Sequence, residues 1–280
     1  MKKVLIALLG LFLCFIPCIG STADLNVLWY GGDTGYDSAM ASLAAGASSY
    51  GGGESWNVTF WNASDPTPNF SNYNVLVIGS PDSGFGTGMD PTRLLSAGSA
   101  IEAARGSRTF LSGQDADWHA RGGNLAAEIF TYDAVDWAAS GTGLGIVSMT
   151  DGWAGTGSNW WLKSGSFLQP ELNGYVVYNQ EDSVVIPAAT AGYPVNAGLT
   201  TASLSGWGIS AHATFDKTIP GYLSINDAGS YPGYAVTILT EGQEGGGTTG
   251  PGTTVPEPTT MLLLGLGLMG LAGLRKKIKK

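Results

Sequence analysis

The sequence predicts an α/β fold: a three-layer domain on a mostly parallel sheet, with an additional β-rich C-terminal part. Three observations carry this. Short apolar runs alternate with Ala- and Leu-rich stretches at helical spacing, the pattern of repeated strand–helix units. The runs end in turns rich in Gly, Ser and Asp. The run Val75-Leu76-Val77-Ile78 has no polar face, as a strand covered by helices on both sides requires.

Taken in order, Asn26–Tyr30 reads as a buried strand with Gly31-Gly32-Asp33 as its exit turn. A helix is predicted from Asp37 to Ala47, with Met40 and Leu43 at helical spacing, and a Gly51-Gly52-Gly53 turn leads into a strand at Trp56–Trp61. Val75–Ile78 ends at Gly79-Ser80-Pro81-Asp82, and Pro91–Ala104 reads as one helix with Leu94, Leu95 and Ile101 on one side. Arg108–Leu111 is the next strand, leaving through Ser112-Gly113-Gln114-Asp115-Ala116-Asp117-Trp118-His119. A helix at Asn124–Ala139 and a strand at Leu144–Met149 follow, the strand ending at Thr150-Asp151-Gly152. Beyond Asp151 the pattern turns strand-rich, with strands predicted at Tyr175–Tyr178, Val184–Ile186, Tyr222–Ile225 and Tyr234–Leu239.

The flanks have a different composition. Met1-Lys2-Lys3, the apolar stretch Val4–Ile19 and Ser21-Thr22-Ala23 have the three parts of a secretory signal peptide, so residues 1–23 are expected to direct export through the Sec machinery and be removed. Both cysteines, Cys14 and Cys18, lie there, which leaves the exported chain no disulfide, thiolate metal site or cysteine nucleophile. The domain spans residues 24–240. Residues 241–254, rich in Gly and Thr, cannot bury apolar area and read as a flexible linker. Seven of the 13 basic residues sit in the two terminal segments. Between them remain six basic residues against 21 acids, a charge of −15. That balance excludes nucleic acid as a partner.

Residues 255–280 have three parts in fixed order: Pro256-Glu257-Pro258, an apolar run from Met261 to Leu274, and a basic cluster of Arg275, Lys276, Lys277, Lys279 and Lys280. The prolines flanking Glu257 favour an extended, accessible segment. A run of about 14 residues makes ~21 Å of helix, short of a full span unless the flanking Thr residues and snorkelling Lys and Arg extend it. The positive end is expected to stay cytoplasmic. This arrangement resembles the PEP-CTERM sorting signal of Gram-negative bacteria. The resemblance implies an exosortase-type processing enzyme as partner, transient anchoring in the inner membrane, and release to the cell surface or the extracellular space. It also implies a link to exopolysaccharide and biofilm, with a polysaccharide as a further partner.

The domain has a resemblance of its own. The order of strands and turns, with Val-Leu-Val-Ile-Gly at residues 75–79 and Thr109-Phe110-Leu111-Ser112-Gly113, resembles the class I glutamine amidotransferase-like fold, a flavodoxin-like arrangement that includes the trehalose-utilisation-type proteins. Tyr193-Pro194-Val195-Asn196-Ala197-Gly198-Leu199 is similar to a His-Pro-Val-x-x-Gly-Leu stretch of such domains, with Tyr193 in place of His. The family's nucleophile elbow, Gly-x-Cys-x-Gly, falls on Gly113-Gln114-Asp115-Ala116-Asp117, with Asp115 at the cysteine position. Its His-x-Glu partner is absent, since His212-Ala213-Thr214 has no acid at its end. Amide transfer is therefore excluded under this alignment.

Ligands of open parallel sheets sit beyond the carboxyl ends of the strands. The residues expected there are Asp33, Ser80, Asp82, Ser112, Asp115, Asp117, His119 and Asp151. As binding candidates we take Asp33, Ser80, Asp82, Asp117 and Asp151; as catalytic candidates, Asp115, His119, His212 and Ser112. An Asp nucleophile is chemically feasible, and an Asp-x-Asp-x-His array offers oxygens to a divalent cation, although no cofactor is required by the pattern. The plainer reading makes these Asp residues turn-formers and helix N-caps. Trp118 is expected to lid His119, while Trp153, Trp160 and Trp161 lie in a loop-like stretch where they either roof the core or stack on sugar rings. The resulting expectation is an exported surface or matrix protein with a catalytically degenerate domain serving binding or structure. The alternative is a secreted hydrolase using Asp115 with His119 or His212.

Overall fold

The computed structural model describes residues 24–31, 34–50, 54–80, 90–150 and 159–240. The chain divides into two units, Met1–Gly242 and Gln243–Lys280, and the described residues all belong to the first. The expected signal peptide, linker and sorting tail, Pro256, Glu257, Pro258 and Arg275 included, lie outside them.

Five strands form the parallel part: β1 (Leu25–Tyr30), β2 (Trp56–Trp61), β3 (Val75–Ile78), β4 (Arg105–Ser112) and β5 (Leu144–Ser148). Their order in the sheet is β2-β1-β3-β5-β4. The flavodoxin-like order would set β4 beside β3. Here β5 lies between them, pairing with β3 from Val75↔Gly145 to Ile78↔Ser148 and with β4 on its other side. The fold class holds as α/β with a largely parallel sheet, and the flavodoxin-like strand order does not. The C-terminal strands extend the sheet from β4. They are β6 (Val176–Val177), β7 (Val184–Val185), β8 (Thr214–Asp216), β9 (Leu223–Ala228) and β10 (Tyr234–Leu239). β10 pairs antiparallel with β4, β8 and β9; β6 pairs with β8, and β7 with β9. The expected β-rich addition thus joins the same sheet.

The sheet buries both faces because successive side chains point to opposite sides. Val27 and Trp29 of β1 enter one core with Met40, Phe110, Phe130 and Val147, beneath the helices α1 (Thr34–Ala47) and α5 (Leu125–Ala139). Leu28 and Tyr30 enter the other with Leu94, Ile101, Trp160, Trp161 and Phe215. The predicted helix Pro91–Ala104 is two helices, α2 (Thr92–Ser96) and α3 (Gly98–Ala104), joined at Ala97. The break brings Gly98 so close to the Gly165 carbonyl that a Cβ would sit 2.0 Å from its oxygen. Helix α4 (Ala116–Arg121), strand β8 and the short helices α6 (Gln169–Leu172) and α7 (Thr201–Leu204) were not expected from the sequence pattern. Among the described residues no helix is long and apolar enough to cross a membrane.

Gly113 is where β4 meets the chain entering β8. Its N–H donates to the Val236 carbonyl at 2.7 Å and its own carbonyl accepts from His212 N–H at 2.8 Å. A Cβ there would lie 1.8 Å from the Ala213 carbonyl oxygen, a backbone atom that cannot swing aside. We expect Gly113→Ala to lower unfolding stability by about 1–3 kcal/mol through forced backbone shifts. The matched control Gly192→Ala, where nothing lies within 4 Å of the added carbon, should stay within about 0.5 kcal/mol in the same urea titration.

Candidate functional site

Beyond β4 the chain turns through Gln114, whose backbone bridges to Ala211, and enters α4 with Asp115 at the N-cap position. The Asp115 side chain does not cap the helix, which corrects the expectation of a capping role. It is 2 % exposed and lies between two imidazoles. His119, one turn along α4, brings Nε2 to 3.3 Å from Asp115 Oδ1. His212 is carried by the bridged segment before β8 and brings its Nε2 to 3.3 Å from Oδ2. The His119 contact is an ion pair without hydrogen-bond alignment, since Oδ1 has no aligned donor. The turn that presents Asp115 thus also presents both histidines: the backbone bonds Gly113–His212 and Gln114–Ala211 fix one, and the i, i+4 spacing of α4 fixes the other.

The electrostatics follow from this packing. Burial works to raise the Asp115 pKa, but its contacts with His119 and His212 outweigh burial and hold the carboxyl below the usual range. Burial works to lower the His119 pKa, and Asp115 outweighs it, so the imidazole is raised above its ordinary value. The expected contest between an indole lid and the carboxylates is thus decided for the carboxylates, but the indole is another one. Trp207 packs on His119 with ring centroids 5.1 Å apart, whereas Trp118 lies under the Arg121 guanidinium.

Asp117 points elsewhere. It is fully buried, and its Oδ2 accepts from Tyr36 Oη–H at 2.5 Å and from Ser80 N–H at 2.8 Å. The Tyr36 hydroxyl in turn accepts from Trp29 Nε1–H at 2.9 Å. Tyr36 follows β1, Ser80 follows β3 and Asp117 follows β4, so one carboxylate ties three strand exits. Burial raises the Asp117 pKa despite these donors, and Oδ1 has no partner. The two Asp residues therefore do not face a common point. Among the described residues no group of three or more His, Cys, Asp or Glu is arranged to hold a metal ion.

Ser112 is buried, with its hydroxyl 3.1 Å from Thr237 Oγ1 and accepting from Gln114 N–H at 3.1 Å. The structure therefore brings Asp115, His119 and His212 together, sets Asp117 with Ser80 beside them, and engages Ser112 in the sheet. Asp33, Asp82 and Asp151 lie outside the described residues. Two backbone donors at the turn are already used, Gly113 N–H by Val236 and Gln114 N–H by Ser112, so neither is free for a developing oxyanion. Trp160 and Trp161 are fully buried, and Trp161 Nε1–H donates to Ser148 Oγ at 2.9 Å. They roof the core and present no face to a sugar; Trp153 lies outside the described residues. Sequence reasoning missed Tyr36 and Trp207. The signal for Trp207 is its setting, Gly206-Trp207-Gly208, an aromatic held between two residues that permit a tight loop.

Residues 254–277 match the family described as the PEP-CTERM protein-sorting motif. The chain matches no curated protein and no solved structure. The motif points to an exported protein sorted by an exosortase, anchored in the membrane before it is cut.

The shifted groups define a pH profile. His119 has a raised pKa, so its contribution is full below 6.5 and is lost as pH rises through its higher folded value. Asp133, raised by burial and by Asp136 from 3.8 to about 7, stabilises below 3.8 and loses that contribution as pH rises toward 7. Asp117 and Asp136, also raised by burial, act in the same direction. Asp115 has the opposite sign: its contribution is present above 3.8 and is lost as pH falls through its lowered folded value. We expect the melting temperature to peak at about pH 4 and to fall toward about pH 8. Asp133→Asn should flatten that fall, as followed by circular dichroism.

Proposed function

We propose that the chain is an exported surface or extracellular-matrix protein, cut by an exosortase-type enzyme, whose α/β domain serves binding or structure rather than catalysis. The observation that carries this reading is the sorting motif at residues 254–277. The degenerate character of the domain is supported by the elbow. Where an amidotransferase would hold a thiol, Asp115 is buried and paired with two histidines, and the chain from 24 to 254 contains no cysteine. The amidotransferase-like origin of the domain rests on its strand–turn pattern, and the insertion of β5 between β3 and β4 weighs against a simple flavodoxin-like core. A charge of −15 between the terminal segments suits solubility outside the cell. No resident cofactor enters the reading, and a polysaccharide remains the partner suggested by the route of export.

A second reading is a secreted hydrolase using Asp115 with His119 or His212. The observation that favours it is the convergence of both imidazoles on one carboxylate at 3.3 Å. Against it stand the occupied amides of the turn and the engaged Ser112 hydroxyl.

Two measurements test these readings. The intact mass of protein released from the cell surface should correspond to a chain that ends before Met261; a released species that keeps Lys280 would overturn the processing. The released protein should not turn over generic ester, amide or glycoside substrates, and His119→Ala should lower its melting temperature. Turnover that vanishes in both Asp115→Ala and His119→Ala, with the melting temperature unchanged, would establish the hydrolase instead.

A further inference from the structure

Among the described residues the sheet has one long open edge. The short strands β6 and β7 pair over two residues each. β2, at the end of the parallel part, is six residues long, and among the described residues no strand pairs with its outer side. Leu25 N–H donates to the Ser55 carbonyl at 2.8 Å and Gly31 N–H to the Trp61 carbonyl at 3.4 Å, so the odd-numbered residues of β2 turn their backbone groups toward β1. Alternation along the strand then directs the N–H and C=O groups of Trp56, Val58 and Phe60 outward. Natural edges are blunted by Lys, by Pro, by a bulge or by brevity. Trp56-Asn57-Val58-Thr59-Phe60-Trp61 has no charge and no proline, and its register with β1 is unbroken from Leu25↔Trp56 to Tyr30↔Trp61.

The pattern of the strand sets what it fits. Trp56, Val58 and Phe60 pack against the core beneath α1 and α5 and are only partly buried, whereas Asn57 and Thr59 are exposed on the opposite face. We propose that a second copy of this chain occupies the edge: two β2 strands pair antiparallel about a twofold axis at Val58 and join their sheets. In that register Val58 stands opposite its own counterpart, Trp56 opposite Phe60, and Asn57 opposite Thr59. Apolar side chains then adjoin apolar ones and polar adjoin polar, and the outward groups of residues 56, 58 and 60 meet the same groups of the other copy. A slip of one residue would set Trp56, Val58 and Phe60 against Asn57 and Thr59 and misalign the bonding groups. Charge favours this edge as well. Six basic residues against 21 acids leave each copy at −15 between its terminal segments, which keeps copies apart where charged surfaces meet. β2 is uncharged, and the nearest acid before it, Glu54, falls opposite Asn62 of the other copy and not opposite an acid. The contact is isologous, so it consumes the long edge of both copies and assembly stops at two. The inference goes beyond the proposed binding or structural role and is independent of how the chain is sorted.

Cysteine cross-linking of the full chain, purified in detergent, tests the register. Cys14→Ser and Cys18→Ser remove both native thiols, so one introduced cysteine is the only one in each chain. Directly opposed residues such as Asn57 and Thr59 would have Cα atoms about 4.5 Å apart, within disulfide reach, whereas the diagonal like pairs lie at about 7–8 Å, beyond it. Asn57→Cys and Thr59→Cys chains are mixed in reductant and then oxidised. The mixed disulfide should form about tenfold faster than the disulfide of either chain with itself. Val58→Lys in both chains sets like charges against each other at the axis and should cut the mixed yield about tenfold, with circular dichroism checking the fold. Association through the tail alone gives no register and equal rates. Equal rates, or no disulfide at all, overturn the proposal, as does a mixed yield that survives Val58→Lys in folded chains. If Val58→Lys fails to fold, the comparison of mixed with like disulfides decides.

Discussion

A fully buried carboxylate that ties three strand exits together sets the geometry at the carboxyl end of this sheet. Asp117 joins Tyr36, beyond β1, to the Ser80 amide, beyond β3, from its own place beyond β4. A charged group in such a position carries a large desolvation penalty unless it is paired or neutralised. Here the penalty is met by two donors on one oxygen and by a pKa raised toward the neutral form. Gly79 makes the tie possible, because a Cβ on it would lie 1.9 Å from the Tyr36 hydroxyl. With the three exits drawn together, Asp115 is left two residues before Asp117 and at the mouth of the same turn.

Asp115 answers the same constraint differently. It stays ionised in the interior because two imidazoles from separate elements reach it, one by helical spacing and one by an antiparallel bridge. Two acids two residues apart at the start of one short helix thus have opposite shifts: burial, which both share, prevails at Asp117, whereas the two imidazoles outweigh it at Asp115. The cluster consumes the polar groups a hydrolytic site would need, since the turn amides and the Ser112 hydroxyl already have partners in the sheet. A closed ion-pair cluster of this kind accords with the proposed binding or structural role.

Strands β1, β3 and β5 were legible in the residues because nearly every side chain is buried and each reads as a largely apolar run, β3 on the residues expected; β2, an alternating half-exposed edge strand, was legible through its aromatic and β-branched residues and also falls where expected. The helix α5 was legible through Asn124, whose side chain accepts from the N–H groups of Ala126 and Ala127. The two-part helix from Thr92 was not, because its join at Ala97 lets Gly98 meet the Gly165 carbonyl, a contact with a distant part of the chain. β8 was hidden for a related reason: it is three residues long and is specified by its neighbours β6 and β10 and not by any local pattern. At the site, the convergence of Asp115 and His119 was written in their four-residue spacing, while the replacement of Trp118 by Trp207 over His119 depends on a loop from a distant part of the chain.

Destination and class were therefore local properties. The tripartite tail at 254–277, the leader-like first residues, the acidic balance and the alternation of strands and helices each lie within short stretches whose chemistry needs no partner to be read. Strand order, the roofing of the core by Trp160 and Trp161, and the joining of His212 to Asp115 across ninety-seven residues are set by packing. Those depend on which surfaces exclude water together and which buried polar groups find partners, and such choices exist only once the whole chain has closed on itself.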